Sequence, residues 1–153
     1  MGLKECLQQD LIESTKSRNE IKTGVIRLLR GMIRKQEIDQ RKEFGDDDVI
    51  GVLASAVKQH RESIKAYTAG GRADLVAQEE AELAIIESYL PQALSPQELE
   101  KIVRDTIAET GATSIKDLGK VMAKIMPQVK GRADGAVVQT LVRAKLTGFL
   151  PPA

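Results

Sequence analysis

The stretch YTAGGRADLVAQEEAELAIIESYLPQALSPQEL, residues 67–99, decides the fold. Gly70-Gly71 ends one helix, since glycine takes the left-handed conformation that closes a helix C-terminus without steric penalty. A second helix runs from about Arg72 or Ala73 to about Tyr89. Leu90-Pro91 stops it, because the residue before proline disfavours α geometry. Ser95-Pro96-Gln97-Glu98 then starts a third helix. Ser95 is the N-cap, Pro96 takes the first helical position, and Glu98 completes a capping box.

Working outward toward the N-terminus, three more helical patterns appear. Residues 3–16 carry Leu3, Leu7 and Leu11 at helical spacing, with Cys6 beside them as a small buried hydrophobe. Asn19 is positioned to cap a helix over residues 20–41, with Ile21, Val25, Leu28, Leu29 and Met32 on one face. Gly24 and Gly31, seven apart, allow close approach of a neighbouring helix. After Phe44-Gly45, the carboxylates Asp46, Asp47 and Asp48 suit the positive N-terminal end of a helix over about 48–69. That helix bears Ile50, Leu53, Val57, His60, Ile64 and Tyr67 as a stripe for antiparallel packing. His60 on this stripe is expected to be a packed, hydrogen-bonded residue.

Toward the C-terminus, Leu99, Ile102, Val103 and Ile107 form the buried face of a helix closed by Gly111. Ser114 is expected to cap the next helix, which holds Ile115, Leu118, Val121, Met122 and Ile125 and ends at Pro127. Asp134 caps a last helix with Val138, Leu141, Val142 and Leu146. The tail Pro151-Pro152-Ala153 reads as frayed. The expected class is therefore all-α: an N-terminal helical layer of about four helices, residues 1–91, followed by a small C-terminal three-helix bundle, residues 92–153. Leu90-Pro91 reads as the joint between them.

Composition supports an aliphatic helical core, for there is no Trp and there are only two Phe and two Tyr. The overall charge of +1 says nothing about partners, but its distribution does. Residues 1–43 hold ten Lys/Arg against seven Asp/Glu, residues 44–90 four against nine, and residues 91–153 nine against six. Two mildly basic ends thus flank an acidic middle. The lone Cys6 excludes a disulfide framework within the chain. No apolar run reaches the roughly 20 residues that span a bilayer, so no membrane partner is expected. Met1 leads straight into a charged amphipathic pattern with no signal segment, and cytoplasmic localisation is expected.

Arg27, Arg30, Arg34 and Arg41 fall within a roughly 60° arc opposite the apolar face of their helix. This basic stripe is either a solvated surface or a set of phosphate contacts. No aromatic residue interleaves it, so base stacking is not implied. Lys116, Lys120 and Lys124 recur every four residues, followed by the basic turn Lys130-Gly131-Arg132. Glu79 and Glu82 lie one turn apart on a face shared with apolar residues. Paired carboxylates of this kind suit acid/base or metal chemistry. The reading favoured here is an internal ion-pair network with Arg61 and Arg72 that locks two helices together.

Recognised phosphate-binding loops are missing: Gly119-Lys120 is followed by Val121 and lacks the upstream glycine of a Walker A loop. One His supports no nucleophile–base arrangement. With one His and one Cys, a zinc site would need unusual carboxylate ligation. The residues offer no self-contained catalytic site, and no cofactor or metal is expected.

The segments Gly71-Arg72-Ala73-Asp74-Leu75, Tyr89-Leu90-Pro91, Asp117-Leu118-Gly119-Lys120-Val121-Met122 and Lys130-Gly131-Arg132-Ala133-Asp134-Gly135, at these spacings, resemble the GatB/YqeY family over nearly the whole chain. The nearest likeness is to its free-standing YqeY members. The resemblance implies an all-helical fold. It also implies relation to the tail of the GatB subunit of glutamine-dependent tRNA amidotransferase, a carbon–nitrogen ligase, in which the tail helps grip tRNA. The ATP-using and amide-transfer domains of that enzyme have no counterpart here. The implied role is a tRNA-binding accessory module whose contacts are the two basic sets, with amidotransferase subunits as implied partners. The alternative is a non-catalytic helical adaptor that binds another protein through the apolar stripe of residues 50–67.

Overall fold

A computed structural model of the chain describes residues 2–148. The Pro151-Pro152-Ala153 tail lies outside the described residues. Among those residues the structure is all-helical, with no strand. It divides into two compact units, Met1–Pro91 and Gln92–Ala153.

The first unit holds α1 (Leu3–Lys16), α2 (Glu20–Gln40), α3 (Asp46–Ala69) and α4 (Ala73–Glu87). Asn19 caps α2 by accepting from the Lys22 amide at 3.1 Å, which satisfies one of the unpaired first-turn donors. At the other end α2 stops at Gln40, one residue earlier than the sequence suggests. Arg41 turns into the left-handed region at φ 53°, and the Lys42 amide reaches back to the Glu37 carbonyl. Arg41 so occupies the position usually given to glycine in this helix-ending motif. Two of the three aspartates have separate duties. Asp46 accepts from the Leu3 amide at the start of α1, and Asp48 accepts from the Gly45 amide and pairs with Lys42.

The core of this unit is aliphatic. Leu7 of α1, Val25, Ile26, Leu29 and Ile33 of α2, and Val49, Val52, Leu53, Ala56 and Val57 of α3 are buried together with Phe44 and Ile86. Ile86 is the only fully buried residue of α4 among those described, so α4 is a peripheral helix laid against α3 and α2. Gly71, at φ 70°, makes the turn between α3 and α4. Pairing of residues 60 and 61 with residues 79, 82 and 87 gives an antiparallel α3–α4 hairpin. The apolar stripe of α3 thus packs inside the unit at Leu53, Val57 and His60. Gly24 and Gly31 face open space, with no atom of the described residues within 4 Å of where a methyl group would sit, so no helix among those residues packs closely on them.

The second unit holds α5 (Pro96–Thr110), a 3-10 turn at Ile115–Asp117, α6 (Leu118–Val129) and α7 (Gly135–Leu146). The Ser95–Glu98 capping box is formed in both directions, at 3.1 and 2.9 Å. Gly111 closes α5 at φ 69°. Two expectations are corrected here. Ser114 caps the 3-10 turn rather than α6, and α6 runs two residues past Pro127. Val129 is fully buried on the face that carries Ile125, and its burial holds the last turn in helical form despite the missing proline donor. Leu99, Val103, Val121, Ile125, Val129, Val138 and Val142 make the second core.

Candidate functional site

A surface pocket of about 610 Å³ opens between α1 and α2. Lys4, Glu5 and Gln8 line it from α1, and Arg30, Arg34 and Glu37 from α2. Its electrostatics turn on Glu37. One oxygen of Glu37 accepts from Lys4 Nζ at 2.7 Å and from the Phe44 amide at 2.8 Å. The Lys4 bond foremost, then the Phe44 amide, holds this carboxyl below its ordinary value. Glu37 is therefore committed to tying α1, α2 and the following loop together. Among the described residues, Arg30 and Arg34 have no carboxylate within 4 Å, and both are exposed on the pocket rim. Arg27 is exposed one turn earlier on α2, outside the pocket lining. Arg41, at the left-handed residue that ends the helix, is not part of the regular stripe.

The basic residues of the second unit separate by role. Lys116 sits on the 3-10 turn, so the expected row with Lys120 and Lys124 is not continuous on one helix. Lys124 pairs with Glu109 of α5 at 2.7 Å. Arg132 is half-buried and structural: its Nε donates to the Gln92 carbonyl at 3.0 Å, and its own carbonyl accepts from the Leu94 amide. Lys120 and Lys130 are exposed and make no ion pair among the described residues.

The acidic pair on α4 has other partners than the arginines expected. Arg61 pairs with Glu87 at 3.0 Å, and Arg72 makes a two-toothed pair with Asp74 beside it. Bonding to Asp74 raises the Arg72 guanidinium and lowers the Asp74 carboxyl from their ordinary values. Glu79 and Glu82 instead face His60, whose Nε2 lies 3.6 Å from one and 3.3 Å from the other. The His60 ring is buried, and its Nδ1 is 2.9 Å from the Ala56 carbonyl. A carbonyl only accepts, so Nδ1 carries the proton and Nε2 is the atom presented to the carboxylates. The Arg61–Glu87 pair thus ties the hairpin together, while His60 faces the two carboxylates across it.

Sequence reasoning did not find this trio, yet a signal for it exists. His60 and Glu82 stand eleven residues either side of Gly71, the mirror positions of an antiparallel hairpin turning there. Lys4 and Gln8, one turn apart on α1, were likewise not assigned to the arginine face. No helix among the described residues is long and apolar enough to cross a membrane.

A family model described as Yqey-like protein matches residues 4–146, so the chain belongs to that family. The chain is similar to proteins named altered inheritance of mitochondria protein 41, mitochondrial. It is 30% identical over 125 residues to the one from Vanderwaltozyma polyspora, covering 77% of this chain and 65% of that protein. It is 34% identical over 85 residues to that of Eremothecium gossypii, covering 55% of this chain and 46% of the relative. For Pyrenophora tritici-repentis the figures are 26% over 131 residues, 83% of this chain and 71% of the relative. The matches thus span less than two thirds of the length of the first two. The names of these relatives overturn the expectation of cytoplasmic localisation, since each is called mitochondrial. That expectation rested on the lack of a signal pattern at Met1, and nothing in an aliphatic helical core reports a compartment.

Proposed function

We propose that this Yqey-like chain is a tRNA-binding accessory module that acts alongside a glutamine-dependent tRNA amidotransferase. Arg27, Arg30 and Arg34 contact backbone phosphates from the first unit, and Lys116, Lys120 and Lys130 from the second. Lys124 and Arg132 support the second set from their positions beside Glu109 and Gln92. The observation that carries the reading is the α1–α2 pocket. Its two rim arginines are exposed and form no ion pair within 4 Å among the described residues, while its own Glu37 is bonded to Lys4 and Phe44 and only helped from a distance by Arg34.

Guanidinium groups on successive turns suit phosphate oxygens, because each offers a planar fork of donors. Among the described residues Phe44 is buried and Tyr67 and Tyr89 are half-buried, so contact there is by shape and charge rather than by stacking on bases. The test is fluorescence anisotropy with a tRNA pool across salt concentrations. Binding at about 50 mM salt that weakens steeply by about 200 mM supports the reading. No binding at the lower salt refutes it.

The adaptor alternative is favoured by one observation: Ile21, Leu28 and Ile38 of α2 are about half-exposed or more, at 51%, 47% and 62%. Capture of partners with and without nuclease separates the two readings. A partner retained after nuclease treatment supports the adaptor, and one released by it supports tRNA as the link.

A further inference from the structure

We propose that His60, Glu79 and Glu82 form a binding site for a divalent transition-metal ion, with zinc as the best-fitting ion. His60 Nε2 and one oxygen from each glutamate all lie within 4.8 Å of one another. Three features make this more than a patch of charge.

The first is spacing. Zinc bonds of about 2.0–2.1 Å in tetrahedral geometry place ligand atoms about 3.3 Å apart. The separations from Nε2 are 3.3 and 3.6 Å. A direct imidazolium–carboxylate hydrogen bond is shorter, about 2.7–2.9 Å.

The second is the imidazole's orientation. Nδ1–H donates to the Ala56 carbonyl, and this second bond fixes the ring so that Nε2 faces the carboxylates, where it can offer its lone pair to an ion. Metal-binding histidines are held in this way.

The third is charge. The two carboxylates sit one turn apart on α4, and neither nearby arginine neutralises them, for Arg61 is taken by Glu87 and Arg72 by Asp74. A divalent cation balances the pair. The three ligands come from facing helices, so the ion would bridge α3 and α4 and leave a fourth position for water. The glutamate side chains are 20% and 24% exposed, which provides an entry path. One nitrogen and two carboxylate oxygens suit zinc better than softer thiolate-seeking ions or purely oxygen-seeking magnesium and calcium.

The test uses the full chain stripped of metal with a chelator. Zinc chloride is titrated by calorimetry, and thermal unfolding is followed with and without zinc. The expected result is one zinc per chain and a raised Tm. Cobalt(II) in its place should give the visible absorption of a tetrahedral site. Glu79→Gln and Glu82→Gln keep side-chain size, and each should weaken zinc binding at least about tenfold. His60→Ala opens a buried space, so it is not the deciding variant. If a glutamine variant does not fold, the wild-type stoichiometry and cobalt spectrum decide. Failure of wild-type chain to bind zinc, or equal binding by the Glu79→Gln/Glu82→Gln double variant, overturns the proposal. These readouts involve no RNA, so their outcome is separate from that of the tRNA reading.

Discussion

His60 Nε2 lies 3.3 Å from Glu82 Oε2, across the hairpin that turns at Gly71. The contact joins the middle of α3 to the middle of α4, a helix with only one fully buried residue among those described. Polar contacts at this seam therefore matter more to the seating of α4 than they would on a helix with a broad apolar face. Ile86, with the partly buried Leu83 and Ile85, supplies the apolar remainder. Ile86→Ala removes a fully buried side chain and should cost about 2–5 kcal/mol, measured as a shift in urea midpoint with unchanged slope.

Glu37 makes a pH-dependent contribution whose sign follows from its bonding. Its carboxyl is held below the ordinary value of 4.5 chiefly by Lys4. A lowered folded-state value means that the stabilisation is present above the unfolded value and is lost as pH falls through the folded one. Glu37→Gln should therefore be less stable than wild type at neutral pH. The gap should narrow as pH falls below about 4.5, seen in Tm measured from pH 7 downward.

The helix-start signals around Ser95 were legible because a cap is local. Ser95, Pro96 and Glu98 settle their geometry within four residues, as do Asn19 and Asp134 with their first-turn amides. Ser95→Ala should destabilise the chain by about 1 kcal/mol in thermal or urea unfolding. The partner of Arg61 was not legible in the same way, whereas that of Arg72 is the neighbouring Asp74. A long side chain on one helix reaches any of several carboxylates on the next, and the choice depends on hairpin register. Glu37 posed the same problem, since its ion-pair partner Lys4 lies 33 positions away. Pro127 misled because proline ends helices by default, whereas here Val129 buries itself in the next half-turn. The arginine stripe was legible as a face of α2, but the pocket beside it depends on how α1 packs.

Gly24 and Gly31 lie in the interior of α2 with open space where a methyl group would go. Gly24→Ala and Gly31→Ala should each stabilise the isolated chain by about 0.5–1 kcal/mol through helix propensity, measured by urea unfolding.

The most direct measurement is the salt dependence of tRNA affinity for wild type and for an Arg30→Ala/Arg34→Ala variant. Both side chains are exposed, and Arg34 is the least of the groups that lower the Glu37 carboxyl, so the variant should keep most of its stability. The phosphate-contact account predicts weaker binding and a slope of log affinity against log salt shallower by about 1–2, since each lost phosphate contact releases fewer counterions. An unchanged affinity and slope in the folded variant would contradict it.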